Sequence, residues 1–286
     1  MNMKTYRPTT KSRRHMTTIS YNEYLTTQDP YKPLTHGYKR DVGRNNQGRL
    51  TTRHKGGGHK RLYREIDFVY NKRDIPATVN TVEYDPNRTA FICLVTYKDG
   101  EKRYVVAPKG MKVGDTFIVS EKAPIANGNR LQLKNIPVGT FIYNLEVKPG
   151  EGAKLIRSAG SFAQVVAIDA GYAHIKMPST EIRKVPETAW ACIGTLSNDE
   201  NRLVNIGKAG RSRWLGIRPT VRGSVMNPVD HPYGGGEQRQ GRGLRRAKTM
   251  WGKPSGKGQK TRTPKKYSNP FIVSRRKVGK SKKGEK

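Results

Sequence analysis

The chain has 286 residues and carries 56 lysines and arginines against 22 aspartates and glutamates, a formal net charge of +34. Only 34% of its residues are hydrophobic, which is low for one compact globule, and so large a charge opposes compaction unless a polyanion neutralises it. The composition therefore indicates a nucleic-acid partner. The alternative, an anionic membrane, is disfavoured because the sequence has no long apolar segment and no basic amphipathic helix.

The charge divides the chain into three parts. Residues 1–62 hold 14 basic and 3 acidic side chains, a net charge of +11, and residues 201–286 hold 24 and 3, a net charge of +21. Residues 63–200 hold 18 and 16, a net charge of only +2. This distribution predicts a nearly neutral folded middle between two basic extensions.

The N-terminal extension has few apolar residues and no sustained period, so alone it is expected to be disordered. Its first 14 residues are polar and basic with no apolar core, which is unlike a secretory signal. Their Arg, Ser and Thr content is compatible with an organellar transit peptide, but a cytoplasmic chain is expected over an organellar one. A glycine-rich basic run follows at 53–61. It lacks the Lys-Ser/Thr ending of a phosphate-binding P-loop, and hydrogen bonding to RNA or solvent is favoured over metal binding for its histidines. We predict RNA contacts in this run by Arg53, His54, Lys55, Gly57, His59, Lys60 and Arg61.

The middle of the chain predicts an all-β fold, because short β-branched and apolar runs alternate with turn signals about every ten residues. Asp99-Gly100 and Asp169-Ala170-Gly171 are typical of tight hairpin turns. The predicted strands are Val79–Tyr84, Phe91–Tyr97, Arg103–Ala107, Phe117–Val119, Leu131–Leu133, Thr140–Leu145, Ala163–Ile168, Tyr172–Met177 and Ile182–Val185. Two small barrels fit this spacing better than one sandwich. The domain ranges expected are 1–62, 63–125, 126–200 and 201–286.

Two cysteines, Cys93 and Cys192, lie far apart in apolar runs. Free cysteine is among the most buried residue types, so we expect two reduced thiols inside strands. No C-x-x-C pair is present, and neither a metal site nor a cofactor is predicted. Trp190 adjoins the predicted barrels and is expected in their core.

Beyond residue 200 the strand pattern fades and glycines alternate with basic residues. The stretch 221–237 contains Pro228, Pro232 and three successive glycines, which exclude a helix or a central strand and predict a shaped loop that another backbone can approach closely. Cations, small residues and aromatic faces are what a peptide needs to thread between RNA backbones. The RNA contacts predicted here are Lys208, Arg211, Arg213, Trp214, Arg218, Arg222, Asn227, His231, Gly235, Arg239, Arg242, Arg245 and Trp251.

Two other functions fit the sequence less well. A DNA-compacting architectural protein is disfavoured because extensions without periodic helices suit irregular RNA shapes. An RNA-modifying enzyme is disfavoured because no nucleophile motif or metal cluster accompanies the neighbouring Asp230 and His231. Adjacent residues of an extended chain point to opposite sides, so that pair need not form a catalytic dyad. We therefore expect no enzyme and no catalytic residue.

The C-terminal segment strongly resembles the large-subunit ribosomal protein two family (the universal L-two family), of bacterial or organellar type. The residues that carry the resemblance are Gly207 to Arg213, Arg218 to Gly223, Met226 to Pro232 and Gly234 to Glu237, with Gly56 to Arg61 near the N-terminus and Gly139-Thr140, Asn144, Glu146, Pro149-Gly150 and Arg157 to Gly160 between them. Tyr233 and Tyr143 stand where the family often has histidine, and for Tyr143 a change in a surface contact is expected.

The resemblance implies an OB-fold followed by a barrel of the Src-homology-three type. It also implies a structural protein of the large ribosomal subunit that binds large-subunit ribosomal RNA near the peptidyl transferase centre. The resemblance further implies that the protein supports subunit assembly, subunit association and tRNA binding. Its further partners would be other ribosomal proteins, small-subunit RNA and tRNA. No contact with a membrane is expected. His231 is implied to lie near the catalytic centre, where we expect a structural contact.

Overall fold

The computed structural model describes residues 3–237, 243–244, 246–256 and 262–276. Strands dominate, as predicted. They are β1 Met3–Thr5, β2 Thr17–Ile19, β3 Thr35–Gly37, β4 Leu62–Arg64, β5 Ala77–Glu83, β6 Ile92–Tyr97, β7 Lys102–Val106, β8 Thr116–Phe117, β9 Arg130–Gln132, β10 Phe141–Tyr143, β11 Leu145–Glu146, β12 Ala153–Leu155, β13 Ala163–Asp169, β14 Tyr172–Lys176, β15 Ile182–Pro186, β16 Trp190–Ile193 and β17 Ile272–Ser274. The helices are α1 Lys11–Arg14 and α2 Ala209–Trp214, with 3-10 turns at Tyr21–Glu23, Lys32–Leu34, Leu133–Asn135, Asp199–Leu203 and Gly223–Val225.

The first module is a four-stranded antiparallel sheet in the order β7-β6-β5-β8. Its central hairpin turns at Asp99-Gly100, as predicted. Gly100 has a φ of +86° and its amide donates to the carbonyl of Tyr97 at 2.8 Å. Glycine adopts this left-handed conformation without steric cost, which is why the turn signal was informative.

The second module is a seven-stranded antiparallel sheet in the order β17-β15-β14-β13-β10-β16-β9. The predicted turn between β13 and β14 is confirmed: Ala170 and Gly171 have φ values of +48° and +79°, the pattern of a type I′ hairpin turn. The predicted strand Thr140–Leu145 is divided instead into β10 and β11. The division falls at Asn144, whose φ of +47° is incompatible with a continuous strand.

The hydrophobic residues of both modules form one continuous core. Val95 and Tyr97 of the first sheet belong to the same cluster as Leu131 and Ile142 of the second. Trp190 is 5% exposed, which confirms its expected core position. The core therefore holds the two β modules together as one body.

Both cysteines are buried free thiols in strands, Cys93 in β6 and Cys192 in β16, as predicted. Burial raises the pKa of the Cys93 thiol to about 12. A thiol that stays protonated at neutral pH is a poor nucleophile and a poor metal ligand, so Cys93 acts as a small core residue.

Tyr143 is not a surface residue, and the expectation of an altered surface contact there was wrong. Ile142 and Tyr143 are consecutive in β10, so their side chains point to opposite faces of the strand, yet both are buried. The strand is therefore covered on both faces. Burial also raises the pKa of the Tyr143 hydroxyl well above its usual range.

Residues 3–39 pack against the β modules through aromatic side chains. The charge pattern did not predict these contacts. The ring of Tyr21 packs 5.3 Å from that of Tyr84, and Tyr24 lies 5.7 Å from Phe91, measured between ring centroids. The amide of Tyr31 donates to the hydroxyl of Tyr104 at 2.7 Å. This part of the N-terminal extension thus has specific contacts with the protein itself.

The chain forms two compact units. The barrel unit consists of the described residues within Met1–Lys39, Lys60–Lys208 and Pro270–Lys286, and the extension unit of those within Arg40–His59 and Ala209–Asn269. Over the described parts of the chain, every helix is too short or too polar to cross a membrane.

Candidate nucleic-acid interface

The extension unit brings together the glycine-rich run near the N-terminus and the basic segment after residue 208. Most of the predicted RNA contacts lie in it: Arg53, His54, Lys55, Gly57, His59, Arg211, Arg213, Trp214, Arg218, Arg222, Asn227, His231, Gly235 and Trp251. Lys60, Arg61 and Lys208 belong to the barrel unit, where Arg61 donates a hydrogen bond to the carbonyl of Pro86 at 2.8 Å. Arg239, Arg242 and Arg245 lie outside the described residues.

Two segments distant in sequence pair like antiparallel strands in this unit. Lys55 and Ile217 form an antiparallel bridge. The amide of Arg218 donates to the carbonyl of His54, that of Gly56 to Gly216, and that of His59 to Trp214, each at 3.0 Å. We call residues 54–59 and 214–218 together the paired segments. Their pairing was not predicted, because neither segment shows the alternation of a strand.

Gly58 makes this close approach possible. Its φ is +82°, and a Cβ atom at this position would lie 2.6 Å from the carbonyl oxygen of Trp214 and 2.8 Å from the amide nitrogen of Gly216. No other residue fits without moving the backbone. Arg40, which the sequence reasoning missed, adds a hydrogen bond from its guanidinium to the carbonyl of Gly57.

A cleft of about 570 Å³ opens along the paired segments. The imidazole of His59 and the indole of Trp214 lie 6.0 Å apart between ring centroids, tilted by 48°, and Trp214 is half exposed. The full lining is Gly56, Gly57, Gly58, His59, Arg213, Trp214 and Arg218. Cationic, aromatic and glycine residues thus converge on one concave surface, and five of the seven were predicted RNA contacts.

The short helix α2 presents part of this surface. It contains Arg211 and Arg213 and no acidic residue in its first turn. The helix ends at Trp214, and two residues later Gly216 has a φ of +86° and donates its amide hydrogen to the carbonyl of Arg213 at 3.0 Å. A left-handed glycine commonly follows the last residue of a helix, and Gly216 here lies in the middle of the second paired segment.

Trp251 and Arg53 were both predicted to contact RNA, and the structure brings them together. The Arg53 guanidinium carbon lies 5.5 Å from the centroid of the Trp251 ring, and its Nη1 donates to the sulfur of Met250 at 2.9 Å. This cation–π contact covers one face of the indole. Trp251 is nevertheless 69% exposed.

The loop 221–237 forms no central strand and no α-helix, as predicted, but it contains a 3-10 turn at Gly223–Val225. It is held by its own hydrogen bonds. The amides of Asp230 and His231 both donate to the carbonyl of Asn227, at 3.0 and 3.2 Å, and that of Gly235 donates to Met226 at 3.0 Å. A Cβ atom at Gly234 would collide with the carbonyl of Asn227. The close backbone approach that the glycines predict therefore occurs between two parts of this same loop.

His231 is fixed within this loop. Its Nδ1 accepts a hydrogen bond from the amide of Tyr233 at 3.1 Å, and its ring packs 4.9 Å from the Tyr233 ring. A Cβ atom on Gly223 would lie 2.5 Å from the imidazole, so the ring also rests on that glycine. Because Nδ1 faces a backbone amide, Asp230 does not orient the ring as the carboxylate of a catalytic dyad would.

Two family models match the chain. Residues 31–120 match the domain described as Ribosomal Proteins L2, RNA binding N-terminal domain, and residues 126–252 match Ribosomal Proteins L2, C-terminal domain. The first range contains the four-stranded sheet and the second contains most of the seven-stranded sheet together with much of the C-terminal basic segment. The expected all-β class, with an OB-fold followed by a Src-homology-three-like barrel, is confirmed.

The N-terminal domain model matches the earlier part of the chain and the C-terminal domain model the later part, and together they span most of the chain. They agree with the basic composition and with the convergence of cationic and aromatic residues in the extension unit. The chain therefore belongs to the ribosomal protein L2 family and is an RNA-binding structural component of the large ribosomal subunit.

Proposed function

We propose that the extension unit is the principal contact with large-subunit ribosomal RNA, and that the predicted RNA-binding residues act there as one surface. The observation that carries this proposal is the pairing of 54–59 with 214–218, which gathers residues from both ends of the chain around one basic cleft. Phosphate neutralisation by lysine and arginine supplies most of the affinity in such contacts. The ranges 1–62, 63–125, 126–200 and 201–286 remain our proposed functional division of the chain.

We further propose that the loop 221–237 lies near the peptidyl transferase centre and stabilises the RNA around it. Its internal hydrogen bonds give it a fixed shape, while Arg222 and Asn227 remain exposed. Through this position the protein would support assembly of the subunit, association with small-subunit RNA and binding of tRNA, beside other ribosomal proteins. Cytoplasmic ribosomes are the proposed location.

In this proposal the protein has no catalytic residue, and His231 has a structural role. Its Nδ1 is engaged by the Tyr233 amide and its ring is packed on Gly223. The Nδ1 atom, which accepts this hydrogen bond, is therefore not available to abstract a proton. The loop needs His231 for its shape.

The test uses large subunits assembled with His231→Gln and measures single-turnover peptide transfer on purified, fully assembled particles. Glutamine can accept the Tyr233 hydrogen bond, so the rate should stay close to normal. Loss of a general base would slow a chemistry-limited step about a hundredfold or more. A hundredfold slower transfer in particles of normal composition would contradict the structural role.

A pair of glycine variants, one test and one control, examines the role of His231 packing in assembly. Neither glycine has a positive φ. The methyl group of Gly223→Ala would press on the His231 ring, whereas that of Gly210→Ala would meet nothing within 4 Å. We expect Gly223→Ala to lower the yield of assembled particles and Gly210→Ala to leave it unchanged.

A further inference from the structure

The cleft along the paired segments is larger and more aromatic than phosphate binding requires. Its volume of about 570 Å³ is large enough to hold a small organic ligand, even though the cleft is open to solvent. A phosphate group needs cations and amides, which a flat basic surface already supplies. The indole of Trp214 and the imidazole of His59 on the wall therefore need a different explanation.

The cleft also has free space where an occupant would lie. A Cβ atom at Gly57 would meet no atom within 4 Å, and one at Gly56 would meet only the Arg218 side chain, at 3.7 Å. Gly58 differs, because its missing side chain is required by the backbone of the opposite segment. Two of the three glycines therefore leave open room beside the aromatic wall.

We propose that this cleft receives one unstacked nucleobase from a single-stranded or bulged segment of ribosomal RNA. The Trp214 indole supplies the stacking face, and Arg213 and Arg218 bind the phosphates on either side. A base in a continuous helix is already stacked on its neighbours, so only a splayed-out base can use such a wall. The inference rests on the proposed RNA contact of the extension unit and adds the chemical nature of its ligand.

Trp251 provides an internal comparison. It is more exposed than Trp214, at 69% against 49%, so exposure alone would make it the better stacking platform. It does not, however, line the cleft, whereas Trp214 lies on the cleft wall with the open space at Gly57. The base-pocket proposal therefore predicts that Trp214 contributes more to RNA binding than Trp251.

The experiment measures the affinity of the full chain at several salt concentrations for the tightest-binding transcript from an overlapping set that covers the large-subunit ribosomal RNA. Trp214→Ala should weaken binding about fivefold to a hundredfold, the usual effect of removing one stacking partner. It should leave the slope of log affinity against log salt unchanged, because the substitution removes no cation that binds a phosphate. Trp214→Phe should retain most of the affinity, and Trp251→Ala should lose less than Trp214→Ala.

A glycine pair tests whether the cleft is occupied. Gly57→Ala and Gly48→Ala introduce the same methyl group at φ values of +63° and +74°, and neither methyl meets the protein within 4 Å. Only Gly57 lines the cleft. Gly57→Ala should weaken RNA binding relative to Gly48→Ala, whereas equal affinities would overturn the pocket.

The double variant Arg213→Ala/Arg218→Ala separates this proposal from the broader one. The salt slope should fall by roughly 0.7 to 0.9 for each phosphate that is no longer neutralised. If the slope falls while Trp214→Ala binds as tightly as Trp251→Ala, the RNA surface stands and the base pocket is wrong. If neither the arginine nor the tryptophan variants change binding, the proposed RNA surface itself is wrong.

Discussion

The ion pair between Arg130 and Glu146 shows how one residue can link several elements of the barrel unit. The two side chains are 1% and 2% exposed, and their nitrogen and oxygen atoms lie 2.9 Å apart. Arg130 also donates to the carbonyl of Asn144 at 2.8 Å and lies 4.6 Å from the ring centroid of Tyr70. Glu146 in turn accepts from the amide of Trp190 at 3.2 Å. Each charge is therefore compensated by several partners, as a buried ion pair requires.

Removing one partner of this pair should destabilise the protein strongly. Glu146→Ala would leave the Arg130 guanidinium buried without its counter-charge, and we expect a loss of about 3 to 5 kcal/mol in the free energy of unfolding. Glu146→Gln keeps the shape and part of the hydrogen bonding, so it should fall between the wild type and Glu146→Ala. Chemical denaturation followed by tryptophan fluorescence measures both.

An exposed ion pair supplies the control. Glu121 lies 3.8 Å from Lys134, and both side chains are about half exposed. Exposed pairs contribute little to stability, so Glu121→Ala should leave the denaturation midpoint nearly unchanged. If Glu121→Ala and Glu146→Ala gave equal losses, burial would not explain the role of Glu146.

At the scale of secondary-structure elements, β17 covers the edge of the second sheet. Residues 272–274 pair with β15, and the amide of Lys184 donates to the carbonyl of Phe271 at 2.8 Å. An uncovered edge strand leaves a row of backbone groups unpaired. The short apolar run at Phe271 is therefore part of the barrel unit despite its position in a basic segment.

Deletion of residues 270–286 should expose this edge. We expect the Lys184 amide to exchange with solvent deuterium much faster, since its acceptor is removed. The amide of Val165, which donates to Thr140 at 3.2 Å within the same sheet, should keep its protection. Hydrogen–deuterium exchange measured by nuclear magnetic resonance compares the two amides. Unchanged protection of the Lys184 amide would mean that β17 is not its partner in solution.

The sequence could predict the hairpins because their information is local. Gly100 and Gly171 mark turns between apolar runs, and both turns form at those residues. The pairing of 54–59 with 214–218 carries no such local signal, and the function of Gly58 depends on a backbone far away in sequence. Burial of Arg130 was also unpredictable from composition, since arginine is mostly exposed unless it is paired.

For the whole molecule, the net charge is densest in the extension unit, whereas the hydrophobic core lies in the barrel unit. The extension unit ranges, 40–59 and 209–269, contain 20 basic and 3 acidic residues, so they carry +17, half of the net charge. None of the described residues in these ranges is a buried hydrophobic residue, whereas the barrel unit contains the whole continuous core. Folding of the extension unit therefore lacks the apolar burial that normally offsets conformational entropy.

This segregation predicts that RNA stabilises the extension unit. Limited proteolysis of the RNA-free chain should cut first within 40–59 and 209–269 and leave the barrel unit, which includes residues 3–39, 60–208 and 270–276, resistant. Addition of large-subunit ribosomal RNA should protect both ranges together, because their segments are paired with each other. The RNA phosphates would also neutralise the basic side chains, which otherwise repel one another. Raising the salt concentration should abolish this protection, since counterion release weakens phosphate contacts. Mass spectrometry of the fragments locates the cuts; an RNA-free chain that resists cleavage in both ranges would show that the extension unit is stable without RNA.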